Sequence, residues 1–513
     1  MVKNTDRHAM TMPQASIPPG DAPARLLSWS LLVWLAGLCV LFSGGWMLDD
    51  PDCYWHVSVG QWILEHHSIP QADLYSHSVP GIPWTAHEWL SEVVYALLYQ
   101  IAGWNGIVIT TALCFAATLT VITRLLLRYL EPVHVLMLVA LAAGMMKIHL
   151  LARPHMLVAP LLALLMAELI HASESGRRPS WWLLPLITVW ANLHGSFTLA
   201  LALIAAFGFE SAWSKARPLY PSVARQWGGF LLLSIAAALI TPHFWHGLAF
   251  TSQILSQKFM HSMLSEWQSA SFQGITPFQL WLLLLMAAAL GGRIRLPLPR
   301  LLLLLGLVHL SLQHQRYIAV LGIIFPFLIA QGLREHWYQA AKLGEDVGFL
   351  DRTFQQLAPP ASTRGVVLAL ALTLTLAAGI QFGNNLSPPA SITPSAALQA
   401  LLARQAEPVI FNSYGYGGYL IHAHQKVFID GRADMYGDKF LEAYQDAIRL
   451  KDLSNLTDLL DRYKITATLL GNETPANAVL AKLPEWEKIY SDEETVVFVR
   501  KSRTEAAQSH GPS

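Results

Sequence analysis

The sequence predicts an α-helical polytopic membrane protein carrying a soluble α/β domain at its C-terminal end. Three observations predict it. Of 513 residues, 53% are hydrophobic and 13% are charged, where soluble domains carry roughly a quarter charged. The apolar residues are gathered into about eleven runs of the kind that enter a bilayer. From about residue 385 the composition turns polar, with short alternating runs between turns. The 34 basic and 34 acidic residues cancel, so no charge excess points to a nucleic-acid partner. Cys39, Cys53 and Cys114 form no Cys-x-x-Cys pair, which excludes a disulfide framework or a cysteine zinc site by count.

Residues 1–26 are polar and rich in proline and are expected to be a disordered cytoplasmic tail. The first apolar run, Leu26 to Leu48, is long enough to span and too long for a cleaved signal peptide. Further runs lie near 106–128, 133–150, 156–172, 181–192, 197–213, 228–241, 277–292, 299–313, 316–333 and 365–383. The membrane domain is therefore expected over 27–384, with a large first loop at 48–104. Eighteen tryptophans suit a chain with many membrane–water boundaries.

Lysine and arginine orient the spans. With a cytoplasmic N-terminus, seventeen of them up to residue 384 fall on inside segments, including Arg124, Arg128, Lys215, Arg217, Arg293 and Lys342. Lys147, Arg153, Lys258 and Arg316 are the four on outside turns. The C-terminal domain, 385–513, is then external. The same topology gathers the polar clusters on the outer side: Asp49, Asp50, Asp52 and His56; His87 and Glu88; Arg153 and His155; Asn192 and His194; His243; Glu266; His314 and Arg316. Ionisable groups at helix ends must face water or one another, so an outer polar cavity is expected.

In the tail, 408–412, 426–430, 467–470 and 495–499 are expected strands, and 438–450, 453–463 and 474–483 expected helices. Tyr414, Gly417 and Gly418 follow the first strand, where backbone amides could meet an anion; tight strand-to-helix turning is the commoner reason for such glycines. Asp430, Arg432, Asp434 and Tyr436 pack two carboxylates, a guanidinium and a phenol after a strand. Strand ends are where α/β sites form, and an Asp–Arg pair locking a turn would use the same residues.

The first loop carries most of the chemistry. Asp52, His56 and Gly60 share one helical face. The 57 residues from Leu48 to Trp104 hold acids and histidines but no lysine or arginine. Unneutralised carboxylates in such a place imply a metal, a cationic partner or a base of raised pKa. For Asp49, helix capping at the interface suffices.

Several motifs stand in order: Asp50-Pro-Asp52-x-x-Trp55-His56-x-x-x-Gly60, Pro70-x-x-Asp73-x-x-Ser76, and Gly81-x-Pro83-Trp84-x-x-His87-Glu88-Trp89-Leu90. Then come Trp190-x-Asn192-Leu193-His194-Gly195, Gly417-Gly418-Tyr419-Leu420 and Val427-Phe428-Ile429-Asp430-Gly431-Arg432-Ala433-Asp434. This pattern resembles a widespread family of bacterial polytopic inner-membrane proteins similar to the C-type glycosyltransferase superfamily (GT-C). More distantly it resembles protein mannosyltransferases and lipid A aminoarabinose transferases. Asp50 and Asp52 fall where those enzymes have an acidic motif after the first membrane helix. His87-Glu88-Trp89-Leu90 stands at a second motif but lacks its Pro-Pro.

The resemblance implies a bacterial inner-membrane enzyme that takes a sugar from a polyprenyl-phosphate donor to a glycan, lipid or protein acceptor at the external face, among membrane lipids. Asp50 or Asp52 would be the general base, with His56, His87 and Glu88 beside it. Arg153 and Arg316 would meet the donor phosphate. His155, Asn192, His194, His243, Glu266 and His314 would line the cavity. Asp52, His56 and Glu88 leave room for a divalent cation, magnesium or manganese. A transporter or flippase, or a non-catalytic cell-envelope assembly protein, is the alternative reading. A transporter would need polar groups toward the midplane, where this sequence is apolar; a scaffold would not need the carboxylate-rich loop.

Overall fold

A computed structural model describes residues 25–213, 220–292, 294–341 and 349–501. Most of the expected N-terminal tail and the basic residues Lys215, Arg217, Arg293 and Lys342 lie outside the described residues.

The chain enters as α1 (Trp29–Leu38), which tightens into a 3-10 segment, Cys39–Leu48. Ser28 caps α1 by accepting from the Leu31 amide. A short helix, α2 (Asp52–His66), follows and ends where His67 takes a left-handed conformation. Next come α3 (Trp89–Leu126), α4 (Pro132–Lys147), α5 (Pro154–Glu174), α6 (Leu183–Leu193), α7 (Phe197–Trp213) and α8 (Tyr220–Ala238). Two short helices, α9 (His246–Ser256) and α10 (Lys258–Met263), lead to α11 (Pro277–Leu290), α12 (Leu298–Gln313) and α13 (Arg316–Ala341). After α14 (Phe349–Gln356), α15 (Thr363–Gly383) closes the apolar part.

Each expected apolar run coincides with a helix. Among the described residues five helical stretches are long and apolar enough to cross a membrane: Trp29–Leu48, Trp89–Leu126, Pro154–Glu174, Arg316–Arg334 and Thr363–Gly383. Five others, such as Pro132–Lys147 and Leu183–Leu193, are apolar but shorter. The chain is thus a membrane protein with a helical bundle rather than a row of uniform spans.

Helix α3 begins at Trp89, well inside the expected 48–104 loop. Its first part packs on α2, and it breaks at Ala102 and Gly103, the latter at φ 58°. Just past the break, the Asn105 side chain donates to the Asn384 carbonyl and accepts from the Leu386 amide, tying α3 to the end of α15. A Cβ on Gly60 would run into the Glu92 carbonyl, so α2 and α3 meet backbone to backbone.

The tail contains α16 (Ser395–Arg404), β1 (Ile410–Asn412), α17 (Gly417–His422), α18 (Ala433–Tyr436), α19 (Asp438–Ile448), α20 (Leu453–Arg462), β2 (Ala467–Gly471), α21 (Ala476–Leu480), β3 (Trp486–Ser491) and β4 (Thr495–Arg500). The sheet order is β1-β2-β4-β3, with β1 parallel to β2 and the other pairs antiparallel. Residues 426–430 do not join this sheet as expected. The Asn412 side chain takes their place in the ladder, accepting from the Phe428 amide and donating to the Ile429 carbonyl, both at 2.8 Å. The segment's remaining bonds go to the first loop: Val427 N to the Tyr75 carbonyl and His77 N to the Val427 carbonyl. The fourth strand is β3 instead, a half-exposed hairpin partner of β4.

Candidate active site

The site forms where α2 starts. Asp50 accepts from the Asp52 amide at 2.9 Å and so caps the helix, while Pro51 presets the turn. Asp52 thereby sits in the first turn of α2, where the helix dipole favours a negative charge. Arg153 precedes α5 in extended conformation, with Pro154 as the first helical residue. Its guanidinium reaches three carboxylates: Nε to Asp50 at 2.9 Å, Nη2 to Asp52, and Nη1 to Glu266 at 3.0 Å. Trp55 Nε1 donates to the other Asp52 oxygen at 3.0 Å.

A cavity of about 130 Å³ opens at this point, walled by Asp52, His56, His87, Glu88, Arg153 and Arg316, with Glu266, His155, His194 and Asp434 around it. The expected outer cluster therefore does converge: side chains from the first loop, three helix ends and the tail share one hollow. A second cavity, about 490 Å³, shares the wall formed by Asp52, Arg153, Glu266 and Arg316 and adds Asp49, Asp50 and Tyr414. Arg316 stacks over Trp267, 4.3 Å from the ring centre, and stands 3.5 Å from Glu266.

Charge in the site is unevenly matched. Burial pushes the Asp50 carboxyl up to about 7 in spite of Arg153, and Asp52 and Glu266 add to the rise. Burial works to raise Glu266 too, but Arg316 and Arg153 hold it near 2. A second acidic centre, Glu88, has three histidines around it: His194 at 3.3 Å, His87 at 3.6 Å and His56 at 3.9 Å. Burial opposes its charge, yet His87 first and His194 next keep the Glu88 carboxyl well below the usual range. Burial likewise opposes charge on His87, and Glu88 lifts it to about 9. Burial lowers His56 and His194 to about 4, so both are neutral at pH 7.

The tail completes the hollow. Gly431 lies so close that a Cβ there would collide with Asp52 and approach Trp55 Nε1. Arg432 is buried; it pairs with Asp430 (2.7 Å) and with Asp73 of the first loop (2.8 Å), and faces the Trp84 ring at 4.8 Å. Tyr436 donates to Asp430 at 2.8 Å. Asp430, Arg432 and Tyr436 thus lock the tail onto the loop. Tyr414 donates to the Gly431 carbonyl and holds that approach. Gly417 and Gly418 form no amide nest: a Cβ would meet the Ile429 carbonyl at the first and the Pro51 carbonyl at the second. Gly418 lets α17 press on the start of α2, and Gly417 lets it press on the Ile429–Asp430 segment.

Three other expected lining residues stand outside these two cavities and hold structure. Asn192 accepts from Trp89 Nε1 and donates to the Thr188 and Ile240 carbonyls. His243 bonds the Ala86 carbonyl at 2.9 Å, and His314 bonds the Trp267 carbonyl at 2.6 Å beneath Arg316. Asp52, His56 and Glu88 do not make a cation site as arranged. Asp52 is taken by Arg153 and Trp55, and His56 is 3.9 Å from Glu88. The described residues contain no group of three histidine, cysteine, aspartate or glutamate side chains placed to hold a metal.

Residues not foreseen are Gly431, Trp84, Asp73 and Glu92. The loop's lack of lysine and arginine was the available signal, because its carboxylates had to find cations elsewhere in the chain. Arg153 and Arg432 supply them.

No family model and no curated protein matches the chain. Solved structures do. ArnT from Cupriavidus metallidurans, in the apo state and bound to undecaprenyl phosphate, aligns over 94% of this chain and 99% of its own, at 14% and 13% identity and TM-score 0.47. The archaeal oligosaccharyltransferase AglB from Archaeoglobus fulgidus, in complex with an inhibitory peptide and a dolichol-phosphate, aligns over 94% of this chain and 75% of its own, at 11% identity and TM-score 0.51. This chain shares the fold of AglB.

Proposed function

We propose that this protein is a membrane glycosyltransferase that moves a sugar from a polyprenyl-phosphate donor to an acceptor hydroxyl at the external face of a bacterial inner membrane. One observation carries the reading: the two adjoining cavities share a wall made of Asp52, Arg153, Glu266 and Arg316. A transferase needs two substrates to meet at a base and a cation, and these residues provide both. The fold shared with AglB, a structure containing dolichol-phosphate, supports the donor class.

Of the first-loop aspartates Asp49, Asp50 and Asp52, Asp52 alone lines both cavities. It takes the proton of the acceptor hydroxyl as that oxygen bonds to C1 of the sugar. The bond from C1 to the phosphate oxygen breaks, and polyprenyl phosphate leaves with the electron pair. Arg316, whose ion pair with Glu266 is 3.5 Å long, turns to the leaving phosphate. Arg153 stays with the two aspartates and fixes their geometry. His87, as imidazolium, neutralises Glu88 below the reacting centre.

Asp52→Asn should cut transfer by about 10²–10⁴-fold, the usual share of a general base, with membrane insertion unchanged. Mass spectrometry of extracted lipids should then show the glycosylated polyprenyl phosphate accumulating in cells that depend on this variant. Full transfer by the variant would remove Asp52 from the reaction.

A further inference from the structure

A third cavity, about 670 Å³, adjoins the central one and is lined by Trp84, His243, Phe244, Trp245, Phe250 and Asp434, among others. Its size falls within the roughly 300–1,000 Å³ of small-molecule sites. Trp84 and Asp434 belong to its wall and to that of the central cavity, and Asp434 also borders the second. The three hollows therefore adjoin at Asp434, which borders all of them.

The composition of this third wall is distinctive. Phe244 and Trp245 are 59% and 57% exposed at its mouth. Phe244 is held at φ 47°, a left-handed conformation that a bulky residue adopts at a cost. It closes the turn in which the Phe244 amide donates to the Thr241 carbonyl at 3.1 Å, and the two neighbouring aromatic rings stand exposed beside the cavity. Trp245 stacks on His246 at 3.9 Å, and Phe250 leans on His87 at 4.4 Å, which links the mouth to the site. Gln71, Gln253 and Asp434 offer polar edges. Among the described residues that line the cavity there is no lysine or arginine.

We infer that this third cavity is the acceptor subsite and that the acceptor's terminal unit is an uncharged sugar. The inference rests on the glycosyltransferase reading and adds the substrate class. Flat aromatic faces beside amide and carboxylate edges match a pyranose, whose C–H face stacks on rings while its hydroxyls hydrogen-bond around the rim. A phosphorylated or carboxylated acceptor would meet no lysine or arginine in this wall, whose histidines are His243, bonded to the Ala86 carbonyl and lowered by burial, and His246, packed on Trp245. Asp434 accepts from a hydroxyl of the bound sugar and aims it toward Asp52.

The test uses the full-length protein in lipid nanodiscs on a printed array of neutral, uronic-acid and phosphorylated oligosaccharides. Neutral glycans should bind, and Trp245→Ala should weaken them at least tenfold. Phe244→Gly relieves the backbone, so it should fold at least as well as the wild type and still lose binding to the same degree. Trp182→Ala, at another exposed tryptophan outside the three cavities, should change nothing. Selective binding of charged glycans, no glycan binding, or neutral binding untouched by both mouth variants would overturn the inference. Release of polyprenyl phosphate from donor, measured separately, reads the glycosyltransferase assignment. Donor turnover without glycan binding sinks the subsite alone, and glycan binding without turnover sinks the enzyme alone.

Discussion

Arg153 and Glu88 are the two single residues on which the site's charge balance turns, and they work in opposite ways. Arg153 is one cation shared by Asp50, Asp52 and Glu266; removing it would leave buried carboxylates without a partner, a loss of several kcal/mol. Glu88 is one anion shared by three histidines, of which His87 alone is lifted above its ordinary 6.5, to about 9. The sign of the linkage follows. His87 binds its proton more tightly when folded, so its stabilisation is complete below pH 6.5 and disappears as pH rises through 9. Glu88 is held below its ordinary 4.5, so its share is present above that value and is lost on acidification. Detergent-solubilised protein should therefore lose thermal stability between pH 7 and pH 9, by about 1.5–3 kcal/mol as a charged hydrogen-bonding partner would predict. His87→Gln should reduce that slope above pH 7, leaving the part that belongs to Asp50, pushed up to about 7, and an unchanged slope would place the titration elsewhere.

At the level of elements, the apolar helices were legible because a bilayer demands continuous apolar runs, and few side chains can disguise that pattern. The elements misread are those whose backbone is satisfied by something distant in sequence. Residues 426–430 have strand composition but bond to the Asn412 side chain and to Tyr75 and His77, and neither partner shows in a local window. Helix α3 begins at Trp89 because its first turns bury against α2, which the interrupted hydropathy near residue 102 conceals. In the site, residue types at helix ends were legible from charge alone. Gly431 and Asp73 were not, since their importance lies in what the tail presses against. Gly60 was placed on the face of Asp52 and His56, and its reason is now steric. Gly60→Ala would drive a methyl into the Glu92 carbonyl and should cost about 1–3 kcal/mol, as overpacked positions do. Thermal unfolding of the variant checks this; a wild-type midpoint would mean that α2 and α3 are not in backbone contact.

For the whole molecule, the interlocking of tail and loop limits the topology. Gly431 abuts Asp52, Arg432 is shared by Asp73 and Asp430, and Gly418 touches the Pro51 carbonyl. The tail and the first loop must therefore lie on the same side of the membrane. Arg153, Glu266 and Arg316 join them there, since all three line the central cavity. The basic residues crowd the other segments: Arg124, Arg128, Arg177, Arg178 and Arg300 stand at opposite helix ends from that cavity. Short loops rich in lysine and arginine stay cytoplasmic, so the proposed function expects the cavity to face outward, and the side it faces is testable. A reporter fused directly after Gly383 should read as external, and so should one placed in the first loop near Gly81. Both reporters reading cytoplasmic would turn the protein over, and with it the donor class. A split result would separate loop from tail and break the site itself, because Asp52 and Asp434 could then no longer share one hollow.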